Sequence, residues 1–267
     1  MQFTKGFKKM RTNKSSIELA SKLQCCVIIP TYNNSRTLQA VINDVRQYAL
    51  DVIVVNDGSS DLTTDILASN PEITVIKYHP NQGKGYALKK GFKCAQSMGF
   101  RYAITIDSDG QHTAADIGLF LDKIELFPDS LIVGSRVLRQ PNMPGGSTFA
   151  NNFSNFWYRL QTGINLRDTQ SGFRLYPLNK IKRIHFITNR YEGELEMLVR
   201  CAWQGINICA VAISVYYPPR DERVSHFRPF VDFFRISILN TFLTVIALVV
   251  VYPVKGISKL LQRTLNS

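Results

Sequence analysis

Acidic charge is in short supply in this sequence. Its 267 residues carry 20 Asp and Glu against 32 Lys and Arg, a formal net charge of +12. Cysteine is sparse as well. The five present, Cys25, Cys26, Cys94, Cys201 and Cys209, are odd in number and follow no metal-ligand spacing. Each reads as a small apolar residue of a strand or helix, which fits a reducing compartment. No apolar stretch precedes Cys25, so a signal peptide is not expected. No Pro/Gly/Ser-rich linker and no internal repeat interrupts the central region. No helix-turn-helix, zinc-finger or RNA-binding signature accompanies the positive charge, so nucleic acid is not expected as a partner. Charged residues are 19% of the chain and hydrophobic ones 45%, which excludes wholesale disorder.

What is present suits one large α/β domain with an appendage. The basic excess gathers at the ends. Lys5, Lys8, Lys9, Arg11, Lys14 and Lys22 precede the first strand, and Lys255, Lys259 and Arg263 follow the last apolar run. Basic ends on a globular centre point to an anionic partner, and the neighbouring apolar run favours a membrane surface.

Between the ends, short apolar runs alternate with helical spacing. Runs at 25–30, 52–55, 73–77, 102–106 and 131–133 read as buried strands. Residues 36–48, 84–98 and 114–126 carry helical periodicity. Repeated β-α-β predicts a mostly parallel, Rossmann-like sheet flanked by helices. Beyond it, 139–150 reads as a loop, 151–162 and 192–204 as helices, 168–174 as a turn and 206–213 as a strand. Ile236–Tyr252 carries no charge and is long enough to reach the lower limit for crossing a bilayer, about 17 residues. Residues 254–265 suit an interfacial amphipathic helix. The chain therefore divides into a basic arm (1–24), a catalytic domain (25–217) and a membrane-attachment segment (218–267).

Ligands bind such sheets beyond the carboxyl ends of the strands. There the sequence places Pro30-Thr31-Tyr32-Asn33, Asn56-Asp57-Gly58-Ser59-Ser60-Asp61, Asn81-Gln82-Gly83-Lys84-Gly85 and Asp107-Ser108-Asp109-Gly110-Gln111-His112. Each cluster alone is an ordinary turn. Two carboxylates on alternate residues repel each other unless a cation offsets them. Hard oxygen ligands favour Mg²⁺ or Mn²⁺, ions that commonly bridge carboxylate and diphosphate.

These clusters, in this order, resemble the family 2 glycosyltransferases of GT-A fold: VIIPTYN, VVNDGSSD, NQGKGYAL and DSDGQH. VGSR at 133–136 and DTQSGFRLY at 168–176 resemble the polyprenyl-phosphate (dolichol-phosphate) mannose and glucose synthase branch. The resemblance covers about residues 25–217. It implies that Pro30, Tyr32 and Asp57 line the base and ribose pocket and that Lys84 lies near the nucleotide. It implies a metal and diphosphate site at Asp107 and Asp109, with Gln111 as a third ligand. It places Arg136 and Arg174 near phosphates. Asn56 departs from the pattern, standing where many members carry an acidic residue.

The expected donor is a UDP- or GDP-sugar. The expected acceptor is a membrane lipid, with polyprenyl phosphate favoured, reached at the cytoplasmic face and, as the family implies, with inversion. Asp109 would hold the cation at the leaving diphosphate, with fixed positive charge from Lys84, Arg136 and Arg174. A hydroxyl acceptor would need a general base, for which Glu194 and Asp168 are candidates; an anionic phosphate would not. A lipid hydroxyl or a growing glycan is the alternative acceptor. A nucleotidyltransferase and a non-catalytic binding module are the alternatives of other classes. Arg223, His226 and Arg228 would meet a lipid headgroup beside the last helix.

Overall fold

The computed structural model describes residues 12–49, 51–136, 145–217, 228–254 and 256–257, with backbone alone at 145–149 and 229. The basic arm up to Arg11, the loop at 139–144, Arg223 and His226, and the basic end from 258 onward lie outside the described residues.

Seven strands form one sheet: β1 (Cys25–Thr31), β2 (Val52–Asn56), β3 (Thr74–Lys77), β4 (Tyr102–Thr105), β5 (Leu131–Arg136), β6 (Arg174–Pro177) and β7 (Ile208–Ile213). Their order is β3-β2-β1-β4-β6-β5-β7. β3, β2, β1 and β4 are parallel, and β5 pairs parallel with β7. β6 runs antiparallel between β4 and β5. β1, β2 and β4 are buried throughout, as expected of strands covered on both faces.

The helices are α1 (Asn13–Lys22), α2 (Leu38–Arg46), α3 (Thr63–Ala68), α4 (Lys84–Ser97), α5 (Ile117–Leu126), α6 (Gly145–Thr162), α7 (Leu178–Ile181), α8 (Glu192–Trp203) and α9 (Pro229–Ile246). Alternation along each strand splits the core between the two faces of the sheet. Val27 and Ile29 pack with α2 and α5 through Leu38, Ile42 and Phe120. Cys26 and Ile28 pack with α4 and α8 through Leu88, Phe92 and Leu198.

Two stretches differ from the sequence expectation. Residues 145–150, read as loop, are the first turns of α6; the later turns pack on α8 and α9, and this tertiary support extends the helix back through its glycines. β6 has no counterpart in the sequence reading because it is too short to show a period of its own; it follows directly on 168–173, which form the irregular turn that the motif predicts. The antiparallel pairing of β6 sets Arg174 opposite Thr105, at the edge where β4 ends. The DTQSG segment is thereby delivered to the carboxyl ends of β1, β2 and β4.

α9 continues through a π-helical stretch, Ala247–Val251, so that Phe230–Val254 is a 25-residue helical segment containing an 18-residue stretch of mean hydropathy 2.2. It packs on α6 and α8.

Candidate active site

Three strand-end loops are tied to one another before any ligand is considered. Asn33, at φ 49°, accepts from the Ser60 N–H at 2.8 Å, and its own N–H donates to Ser59 Oγ at 2.9 Å. Asn56 accepts from the Ser59 N–H at 2.9 Å, so the residue that departs from the family pattern closes the β2 turn. Ser108, between the two aspartates, accepts from Asn34 Nδ2 at 2.6 Å, and its carbonyl accepts from Thr37 Oγ1 at 2.6 Å.

Asp57 lines the cleft, and its carboxylate is engaged by the next loop. It accepts from the N–H groups of Gln82 and Gly83, each at 2.7 Å, and from Asn81 Nδ2 at 2.9 Å. Burial raises its pKa against the opposing pull of those donors. Asp57 thus shapes the 81–83 loop from which α4 starts.

That loop explains Gly83-Lys84-Gly85. Gly83 sits at φ 102°, and a Cβ there would lie 2.6 Å from the Arg190 side chain and 2.7 Å from the Asn189 carbonyl oxygen. The N–H groups of Gly85 and Tyr86 donate to the carbonyls of Arg190 and Asn189. The 186–190 strand of chain is itself held by buried charge. Glu196 accepts from the Ile187 and Thr188 N–H groups and from Arg200 Nε, and Lys89 donates to the carbonyls of Phe186 and Thr188.

Lys84 then reaches inward. Its Nζ lies 2.6 Å from Asp107 Oδ1 and 2.7 Å from Glu194 Oε2. Burial opposes a charged Lys84, but the two carboxylates outweigh it and its pKa rises. Gly172 passes so close that a Cβ would fall 2.6 Å from Asp107 Oδ2 and 2.7 Å from Lys84 Nζ.

The paired aspartates divide their roles. Burial opposes ionisation of Asp107, but Lys84, with help from His112 and Arg174, holds its carboxyl below the usual range. Among the described residues no cation forms an ion pair with Asp109, and Lys84 lowers it only from a distance. Burial, and then the Asp107 charge, push it up to about 6 even though the Gln111 N–H donates to Oδ1 at 3.0 Å. His112 is driven down to about 4 by burial and stacks 5.3 Å from Phe173.

The aspartates open onto a cleft of about 660 Å³. Pro30, Tyr32, Asp57, Lys84, Asp107 and Asp109 all line it, so the structure brings the six together. Asn81, from the third strand-end cluster, lines it too; His79, Arg190, Tyr191, Arg228 and Asp232 also line it, and sequence reasoning did not place them there. The glycines flanking Lys84 signalled a close backbone approach without saying which segment approaches. Gly172 carried no signal apart from its place in the DTQSGFRLY run.

Arg136, Asp168 and Arg174 stand behind the cleft wall. Asp168 accepts from Arg136 Nε at 2.6 Å and Nη2 at 2.9 Å, and from the N–H groups of Gln170 and Ser171. Its side chain is fully buried, and these donors, Arg136 foremost, hold it ionised against burial. Arg174, 0% exposed, donates to the carbonyls of Ser171, Glu194 and Thr169 at 2.7–2.8 Å. The expectation that Arg174 faces a phosphate is corrected here: its guanidinium clamps the DTQSG segment to the start of α8. Arg136 is near enough to Asp107 to feel its charge.

Among the described residues no group of three or more His, Cys, Asp and Glu side chains is arranged to hold a metal. The two aspartates nevertheless fit a hard divalent cation. Mg²⁺ is typically held by one or two carboxylates, with substrate phosphates and water completing its shell. The raised Asp109 carboxyl reflects burial first and the Asp107 charge second, and a bound cation would offset both.

The model of glycosyl transferase family 2 matches residues 26–184. The chain belongs to glycosyl transferase family 2. The matched span contains both aspartates and every cleft-lining strand end. Among relatives of this family 2 chain is a UDP-N-acetylglucosamine–dolichyl-phosphate N-acetylglucosaminyltransferase of Methanococcus voltae. It is 30% identical over 213 residues, covering 72% of this chain and 85% of the relative. An undecaprenyl-phosphate mannosyltransferase of Micrococcus luteus is 26% identical, covering 72% and 83%. Glucosyl-3-phosphoglycerate synthase of Mycobacterium tuberculosis, solved with Mn²⁺, UDP and phosphoglyceric acid, superposes with a TM-score of 0.61 at 18% identity, over 89% of this chain and 81% of that one. That likeness establishes the GT-A type of fold.

Proposed function

We propose that this family 2 glycosyltransferase moves a sugar from a nucleoside diphosphate to a lipid phosphate, a polyprenyl phosphate in chemical class, at a membrane surface. The observation that carries the donor half is the Asp107–Asp109 pair. It opens onto a cleft large enough for a small-molecule ligand, and burial with the neighbouring Asp107 charge raises the Asp109 carboxyl. Mg²⁺ or Mn²⁺ held by Asp107 and Asp109, with Gln111 beside them, would when bound compensate the charge that develops on the departing diphosphate. Pro30, Tyr32, Asn81 and Arg190 offer apolar and polar walls to the nucleoside. Lys84 holds Asp107 ionised and in place.

The acceptor half follows from the two candidate bases. Asp168 has both oxygens bound by Arg136 and backbone N–H groups, and Glu194 is paired with Lys84 at 2.7 Å. Neither is poised to take a proton from a hydroxyl, whereas a phosphate acceptor arrives already anionic and needs no base. The polyprenyl- and dolichyl-phosphate acceptors in the relatives' names support the same choice.

The test is transfer from radiolabelled UDP-N-acetylglucosamine, UDP-glucose and GDP-mannose, each with Mn²⁺, to a polyprenyl phosphate and to the matching polyprenol. Label entering the phosphate with release of a nucleoside diphosphate is the expected result. Label entering only the alcohol would restore Glu194 as a base. Release of the sugar 1-phosphate, with the nucleotide passing to the acceptor, would indicate nucleotidyl transfer instead.

A further inference from the structure

The surface that the proposed chemistry leaves unused is the outer side of α6 and α9. α9 turns Phe230, Phe234, Ile238, Phe242, Val245 and Val249 outward, each more than half exposed, and α6 adds Phe156 at 60%. Its inner side is stitched to the domain. Phe153 of α6 stacks 5.5 Å from Phe233. Gln161, fully buried, donates from Nε2 to the Asn240 carbonyl, to Asn240 Oδ1 and to Thr244 Oγ1 at 3.0–3.3 Å. Trp203 of α8 donates to the Gln161 carbonyl at 2.8 Å, and Tyr252 donates to the Leu160 carbonyl at 2.6 Å.

These contacts run from Phe233 to Tyr252, a rise of ~28 Å, close to the ~30 Å hydrocarbon thickness of a bilayer. Almost no part of the apolar segment long enough to cross is therefore free of the domain. If α9 crossed, α6 would have to enter with it, carrying the exposed Asn152 and Arg159. Polar groups taken into hydrocarbon without partners cost several kcal/mol each, which disfavours that arrangement.

We infer that α9 lies along a bilayer surface, not across it, and that α6 and α9 together form the face that seats in the lipid. Charge chooses the occupant. Neither 145–162 nor 228–257 carries an exposed carboxylate, since Asp232 is buried, while Arg159 is exposed and Arg228 and Arg235 are partly so. An anionic lipid surface complements this pattern. A second copy meeting the same face about a two-fold axis would set like charges together. The placement also serves the cleft, because Arg228 and Asp232, at the start of α9, line it. A seated α9 holds the cleft mouth at headgroup height, where a lipid phosphate would lie. The inference deepens the proposed function and takes from it the choice of a lipid partner.

The test is flotation of the purified full chain with sealed vesicles of phosphatidylethanolamine and phosphatidylglycerol, free of polyprenyl lipid. Phe156→Asp on α6 is expected to weaken vesicle binding about tenfold or more, since it removes a large apolar contact from the interface. Titration with UDP and Mn²⁺ reports that the variant is folded. Epitope tags at the two ends should both remain open to protease added outside the vesicles. One protected tag, or Phe156→Asp binding like the wild type while Leu248→Asp does not, would overturn the in-plane arrangement in favour of a crossing helix. A chain that ignores vesicles and forms a dimer split by Phe156→Asp would assign the face to a second copy. None of these readouts needs sugar transfer, so failure of the proposed reaction would leave them standing.

Discussion

The two ends of the cleft are built in opposite ways. At the β1, β2 and β4 ends, most polar side chains are tied to a neighbouring loop: Asn33 to Ser59 and Ser60, Asn34 to Ser108, Asp57 to 81–83, Lys84 to Asp107 and Glu194. Asp109 is the carboxylate left short of positive charge. At the α6 and α9 end, the order reverses. The polar groups that tie the helices face inward, and what faces outward is mostly apolar, with Asn152 and Arg159 among it. The difference matches the proposed division of labour, in which one side receives an ionic ligand and the other meets a surface.

The sharpest way to break the contrast is Asp109→Asn. It removes the uncompensated carboxylate and leaves the loop ties intact. Transfer is expected to fall by about 10²–10³-fold, the usual size for one group in an electrostatic site. Without metal, the variant should melt a few degrees higher, because the repulsion with Asp107 is gone; each kcal/mol is worth roughly 2–4 °C in a chain of this size. Turnover unchanged, or a lower melting temperature, would show that Asp109 does not hold the site's excess charge. Calorimetry and a donor-hydrolysis assay read both.

Arg174→Ala tests whether the tied side depends on its clamp. Three carbonyls would lose a buried donor, so a stability loss of about 3 kcal/mol is expected. Arg174→Lys should rescue little, because one ammonium cannot reproduce the fork. Urea unfolding measures it. If Arg174→Ala were as stable as the wild type but unable to bind UDP, the arginine would be a ligand group after all.

Gly172→Ala is a smaller insult at the same place. The added Cβ falls within 2.7 Å of Asp107 and Lys84, so the ion pair must move by several tenths of an ångström. Affinity for UDP with Mn²⁺ should drop about 10–100-fold, while stability falls by the 1–3 kcal/mol typical of overpacking. Isothermal titration separates this from a uniform loss of fold. An unchanged affinity would mean that the Lys84–Asp107 geometry is not part of the donor site.

How far this site could be read in the sequence follows from the same contrast. The strands and the four polar clusters were legible because β1, β2 and β4 are buried runs ended by turn residues, a local signal. The helix stop at Gly99 and the start at Lys84 were legible for the same reason. Arg190, Gly172 and the tail residues Arg228 and Asp232 were not, since nothing local distinguishes a residue that reaches the cleft through tertiary packing. The family resemblance puts Arg174 near phosphates; its burial among carbonyls depends on β6 running antiparallel, and four residues do not announce a direction. The apolar C-terminal run was visible by composition. Its docking on α6 rests on Gln161, a residue 79 positions away from Asn240.

The mildest probe is pH, and it acts on Asp109 alone of the pair. Its carboxyl titrates near 6, above the ordinary 3.8, because burial and then Asp107 disfavour the charge. A cation needs the ionised form, so protons compete with it. As pH falls through about 6, affinity for Mn²⁺ in the presence of UDP should decline, approaching tenfold per unit below that point. Asp107, held low by Lys84, should add nothing in this window. The folding linkage has the opposite sense. With a native pKa raised above the unfolded one, the folded Asp109 binds the extra proton between about 4 and 6, so its own contribution to metal-free stability grows as pH falls across that window and is lost as pH rises. His112, driven down to about 4, contributes with the opposite sign in the same window, so the difference between wild type and Asp109→Asn isolates the Asp109 part. Between pH 7 and pH 5 the wild type should gain stability relative to Asp109→Asn, while its metal affinity falls; Phe156→Asp should show the same pH dependence as the wild type. If the wild type gained nothing relative to Asp109→Asn across this window, the raised carboxyl would not be Asp109, and the contrast between the tied and the open ends of the cleft would lose its central residue.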